Sequence, residues 1–157
     1  MSSFFIIDTN VVVAGLLTSH TDSLVARILD AMLSATFRFV LSEALLAEYR
    51  TVLLRPRLRK LHGLSETEID VVLTDIARHA IVLTTSTAAT LPAPDPGDQF
   101  IWDLLATRDD LVLVTGDKLL LQDEAMQHRV ISPQTFVNGP FQTAFANATP
   151  TTPQSGK

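Results

Sequence analysis

Apolar residues gather in short runs along the chain. "FFII" at 4–7, "RFVL" at 38–41, "IVLT" at 81–84 and "LVLV" at 111–114 are β-branched or aromatic and bounded by polar or turn residues, the pattern of buried strands. Val130–Ile131 makes a shorter fifth candidate. Between the runs the apolar spacing changes to a helical period. Leu24, Ile28, Leu29, Met32 and Ala35 predict a helix capped by Asp22 and running through Ala35. Ser42 caps a second, to about Leu54. "SETE" at 65–68 is a capping box that opens a third toward Ala80, with Ile69, Val72, Leu73 and Ile76 on one side. Asp95 followed by Pro96 reads as an N-cap and a proline at the first helical position, starting a fourth helix through about Ala106.

Strands alternating with helices imply right-handed crossovers and a central parallel sheet covered on both faces, a three-layer α/β/α sandwich. The length of 157 residues suits one core, expected over residues 1–140, with 141–157 as a tail that loosens from about Thr149, where periodicity is lost. "TTSTAATLPAPDPGD" is a polar, proline-rich loop leading into the fourth helix, and no internal repeat is evident.

Composition narrows the class. Hydrophobic residues at 46% against charged residues at 18% describe a packed globular chain. The absence of cysteine removes disulfides, thiolate metal sites and cysteine nucleophiles, and is compatible with a cytoplasmic location. The N-terminal apolar run lacks a basic leader and is interrupted by Asp8, so neither a signal peptide nor a membrane span is expected. A net charge of −5 argues against non-specific coating of nucleic acid. One stretch runs the other way: Arg50, Arg55, Arg57, Arg59 and Lys60 concentrate positive charge, and Arg55, Arg57, Arg59 and Lys60 are candidate contacts for RNA or a partner protein.

The chemistry rests on four acids. In an open parallel sheet the carboxyl ends of the strands and the amino ends of the following helices share one edge, where ligands bind. Asp8 directly follows the first strand, and Asp117 follows the fourth after a two-residue turn. Asp98 falls in the first turn of the helix after the third strand. Glu48 lies ~9 Å along the helix from its Ser42 cap, at the border of the apolar arc of Leu45, Leu46, Tyr49, Val52 and Leu53. Four carboxylates meeting there would repel one another and either hold protons or bind a cation. Oxygen-only donors select hard ions, Mg²⁺ or Mn²⁺, and such an ion at a phosphodiester makes a nuclease site. Asn10 is placed to orient Asp8, Thr115 to contact substrate or ligand, and Lys118 to meet a phosphate.

Each acid also has a plain structural reading. Asp8 suits an N-cap for a helix over Asn10 to Leu17, Asp98 a first-turn acid matching the helix dipole, Asp117 a turn residue, and Glu48 a partner of Arg50 or Arg55. It is their coincidence at one edge that points to a site. Asp70, Asp75, Asp103, Asp109, Asp110, Asp123 and Glu124 are assigned to solvated surface. His20, His62, His79 and His128 show no ligand spacing, and Trp102 reads as core or interface.

"IIDTNVVVAGL", "LSEALLAEYRTVLLRPRL", "PDPGDQFIWDLLA" and "LVLVTGDKLLL", in this order, resemble the PIN-domain family, in particular the toxins of bacterial toxin-antitoxin pairs often called VapC-like. The resemblance spans most of residues 4–137. It implies the same sandwich, PIN-like, and a metal-dependent endoribonuclease using Mg²⁺ or Mn²⁺. By motif position Asp8, Glu48, Asp98 and Asp117 match the family acids as catalytic and metal-binding residues, with Asn10 and Thr115 as their polar companions. It further implies an RNA substrate, a homodimer and a cognate antitoxin. Gly97 and Leu119 stand where relatives carry further acidic or polar groups, which leaves one or two ions open. The alternatives are a PIN-fold binding module for RNA or protein without catalysis, and a phosphoryl-transfer enzyme with Asp8 as nucleophile. The second commonly wants an acid two residues on, where this chain has Asn10.

Overall fold

A computed structural model describes residues 3–85 and 91–139. The expected tail at 141–157 and the middle of the polar loop lie outside the described residues.

The first apolar run forms β1 (Phe4–Ile7), and α1 (Thr9–Leu17) follows at once. The succeeding elements are α2 (Leu24–Leu33), β2 (Val40–Leu41), α3 (Glu43–Leu53), α4 (Pro56–His62), α5 (Glu66–His79) and β3 (Ile81–Val82). A 3-10 turn at Pro96–Asp98 then leads into α6 (Gln99–Leu105), β4 (Leu111–Val114), α7 (Lys118–Leu121), β5 (Val130–Ile131) and α8 (Pro133–Asn138).

Among the described residues the strand pairings are all parallel: β1 with β4, β4 with β5, and β2 with β3. A bridge between Phe5 and Phe39 joins the two groups, so the strands run β3-β2-β1-β4-β5 across the molecule. With helices on both sides this is the expected α/β/α sandwich. The core includes fully buried Ile6, Ile7, Phe39, Tyr49, Trp102 and Phe136. Each such side chain contributes roughly 1.5–3 kcal/mol relative to exposure. Phe5, Phe37 and Phe136 add ring contacts, with centroids 4.8 Å apart for Phe5 and Phe136 and 5.0 Å for Phe37 and Phe136.

Several local details differ from or add to the expected elements. The cap of α2 is Ser23, whose hydroxyl accepts from the Ala26 N–H, and not Asp22. That helix stops at Leu33 because Ala35 turns left-handed (φ 57°), with Ala35 N–H bonding Met32 C=O and Thr36 N–H bonding Ala31 C=O. The basic stretch after Leu54 is a separate helix: Arg55 is extended before Pro56, which occupies the first position of α4, and Gly63 ends it at φ 68°. The start of the fourth helical segment is as expected, with Asp95 the cap, Pro96 at the first position and Asp98 in the first turn; that turn is 3-10, closed by an Asp98 N–H to Asp95 C=O bond, so Asp98 also stands at the N-cap position of α6. The second and third strands are also shorter than their apolar runs. The capping box is as expected: Ser65 Oγ accepts from Glu68 N–H, and Glu68 Oε1 accepts from Ser65 N–H.

Candidate functional site

The register aligns Ile7 with Val114, so Asp8 and Thr115 emerge together where β1 and β4 end. Asp8 N–H donates to Val114 C=O at 2.9 Å, extending the ladder one residue into the site. Asp8 is 7% exposed, and its carboxylate meets three neutral donors. Its Oδ1 accepts from Thr9 N–H at 2.8 Å, while Oδ2 accepts from Thr115 Oγ1 at 2.7 Å and Asn10 Nδ2 at 3.1 Å. The plain reading of Asp8 is therefore also correct, since it is the N-cap of α1. A carboxylate offers about four acceptor directions. Three are used here, which leaves one on Oδ1.

Thr115 is the hinge of this network. Its hydroxyl donates to Asp8 and accepts from Asp117 N–H at 3.0 Å and Asn10 Nδ2 at 3.2 Å. Asn10 Oδ1 accepts from Gly116 N–H at 3.0 Å, which fixes the orientation of the amide. Asp117 caps α7 through Leu119 N–H.

Glu48 is aimed by its neighbour. Tyr49 is fully buried and donates its hydroxyl to the Ile7 carbonyl, pinning α3 against the end of β1. Arg50 reaches away, to Asp70 at 2.8 Å and Glu66 at 2.6 Å on α5, so it does not pair with Glu48. Asp98 makes no cap hydrogen bond to its own helix.

Asp8, Glu48, Asp98 and Asp117 all line one cleft of about 390 Å³. The sequence-predicted acids thus converge. Among the described residues none of the four is in an ion pair. The electrostatic cost is visible in the proton affinities. Burial, with a smaller push from Asp117, raises the Asp8 pKa against the opposing hydrogen bonds. Asp98 is pushed up to about 6, first by burial and then by Asp8, Asp95, Asp117 and Glu48. Tyr49 is likewise raised, by burial and then by the Asp8 charge. An oxygen-only donor set of this charge fits a hard divalent cation. Among the described residues, however, no three acids, imidazoles or thiols are spaced to hold an ion directly.

The other sequence candidates divide. Asn10 and Arg55 line the cleft. Thr115 is fully buried behind it, holding Asp8 and Asp117 in place and not open to a ligand. Lys118, Arg57, Arg59 and Lys60 are exposed and are not among the lining residues. Trp102 is core, and His62 is structural, bonding Leu53 C=O and Leu64 N–H. Sequence reasoning missed Phe100 and the apolar wall of Val13, Leu17 and Val52 in the cleft. The signal for Phe100 was its place two residues beyond Asp98.

Residues 5–119 match the family described as PIN domain. The chain belongs to the PIN-domain family. PIN domains are nucleases, generally dependent on divalent metal ions and often found in toxin-antitoxin systems, so nucleic acid is the implied substrate. No curated protein matches the sequence. Among the described residues of this PIN domain no helix is long and apolar enough to cross a membrane.

Proposed function

We propose that this PIN domain is a metal-dependent endoribonuclease, the toxin component of a toxin-antitoxin pair, in which Asp8, Glu48, Asp98 and Asp117 hold Mg²⁺ or Mn²⁺. The observation that carries the reading is the meeting of four carboxylates from four separate segments in one cleft with, among the described residues, no cation paired to any of them. Structural acids are normally neutralised, and these are left for something that arrives.

A bound hard divalent ion lowers the pKa of a coordinated water and neutralises charge on the phosphodiester. The chain does the rest. Thr115 and Asn10 hold Asp8 in one orientation, with one acceptor direction on Oδ1 turned to use. Tyr49 holds Glu48 at the sheet edge, and the 3-10 turn releases Asp98 from capping duty. Asp8, Glu48, Asp98 and Asp117 would hold the ion, and since the acids are not packed to ligand spacing, some would do so by way of water, as is common for Mg²⁺. A cognate antitoxin and a homodimer complete the proposal on family grounds.

Asp8→Asn tests it. It removes a buried charge but keeps the cap's shape, so the melting temperature stays at or above wild type while Mn²⁺-dependent cleavage of RNA is lost. Equal cleavage by the variant defeats the reading. The looser spacing of the acids favours one alternative, a binding module; metal binding by the wild type without cleavage of any RNA would establish it.

A further inference from the structure

An acidic cleft repels the polyanion it is meant to cut, so part of the site has to work against its own charge. Among the described residues lining the cleft, Arg55 is the one cation and Phe100 the one aromatic. We infer that these two residues clamp one nucleotide of a single strand, Arg55 on a phosphate and Phe100 on the face of its base. This inference rests on the cleft being a nucleic-acid site.

Arg55 has the properties of a waiting phosphate ligand. It is exposed, lies in no ion pair among the described residues, and shares the cleft with four carboxylates. Its backbone is set: Pro56 follows it, and it stands extended at φ −59°, ψ 133° at the junction of α3 and α4. A guanidinium binds phosphate by a planar fork, which a lysine ammonium does not reproduce. Beyond it Arg57, Arg59 and Lys60 are exposed on α4 and add positive charge next to this end of the cleft.

Phe100 stands at the start of α6, where Ile101, Trp102, Leu104 and Leu105 are fully buried and fix the helix's rotation. It is only partly buried, and Val13, Leu17 and Val52 continue an apolar lining around it. An apolar wall beside metal-binding acids has no use for a phosphate, but every base has a π-face that stacks on an aromatic ring. Bases inside a duplex are already stacked on one another, so this lining fits a base splayed out of a single strand.

The test measures binding of a fluorescein-labelled single-stranded RNA oligonucleotide to the full chain in Ca²⁺, alongside the same strand annealed to its complement. Cleavage of both in Mn²⁺ follows. The single strand is expected to bind more tightly than the duplex. Arg55→Ala weakens that binding about tenfold or more, and Arg55→Lys recovers only part of the loss. Phe100→Leu weakens it by at least about fivefold, while Phe100→Tyr, which keeps the ring, binds as wild type. Mn²⁺ affinity is not weakened in the Arg55 and Phe100 variants, which separates a substrate role from damage to the acids. Wild-type binding by Arg55→Ala and Phe100→Leu overturns the inference, as does a chain that binds no RNA or prefers the duplex. The two readings fail separately. Binding that depends on Arg55 and Phe100 without cleavage keeps the clamp and removes the nuclease, whereas cleavage indifferent to both does the reverse.

Discussion

The pair β1 and β4 carries aspartates at both of its ends, and the two ends are treated in opposite ways. At the amino edge Asp110 is met by Arg108, with Nη2 2.6 Å and Nε 2.9 Å from its two oxygens, and its pKa is lowered by that contact. Arg108 also stacks on Phe4 at 4.4 Å from the ring centroid, and Arg129 donates to the carbonyls of Leu105, Arg108 and Leu111. Asp110 and Arg129 at that edge each have polar partners. At the carboxyl edge Asp8 is buried among neutral donors, and its pKa and that of Asp98 are raised. The same strands thus finish one end electrostatically and leave the other in deficit. The deficit is what a divalent ion and a substrate would remove.

The comparison can be broken most forcefully at Thr115. Thr115→Val removes the donor to Asp8 and the acceptor for Asp117 N–H and Asn10, all in a fully buried place. We expect a loss of about 3 kcal/mol in denaturant unfolding, together with loss of cleavage. Stability unchanged by this substitution would mean that the network does not hold the edge together.

A smaller effect of opposite sign is expected at Asp98. Its folded pKa of about 6 exceeds the ordinary 3.8, so the folded chain binds this proton more readily than the unfolded one. Stability therefore falls as pH climbs from 3.8 to about 6, and the full cost persists above that. Asp98→Asn gains about 1 kcal/mol at neutral pH, a figure reduced for the solvent that still reaches this carboxylate, and gains nothing below the unfolded value. Melts across the pH range check this, and in wild type Mn²⁺ should flatten the same slope. The smallest effect belongs to the finished edge. Asp110→Asn lowers the melting temperature slightly, less so at high salt, and leaves Mn²⁺ binding untouched.

How much of this could be read from the residues differs by element. β1, β4 and β5 were legible because buried parallel strands are continuous apolar runs, and α5 because its capping box is a local device. The four acids were legible as positions: Asp8 and Asp117 follow strands, Asp98 opens a helix, and Glu48 borders the apolar arc of α3. What stayed hidden depends on contacts between distant segments. Tyr49 looked like one more apolar-arc residue, and its role appears only when its hydroxyl meets Ile7 across the core. Asp98 is a first-turn acid as its place after Asp95-Pro96 implies, but nothing local reports that the turn is 3-10. Ala35 passed for the last residue of a helix, where a left-handed turn is normally signalled by glycine. Arg55 seemed one cation among several; only its place between α3 and α4 separates it from Arg57 and Arg59.

The central claim is that the four acids act together as one cation site, and calorimetric titration of Mn²⁺ into the full chain tests it most directly. The account predicts saturable binding by the wild type, weakened separately by Asp8→Asn, Glu48→Gln, Asp98→Asn and Asp117→Asn, and left intact by Asp110→Asn. No saturable binding, or equal affinity across all five variants, would contradict it.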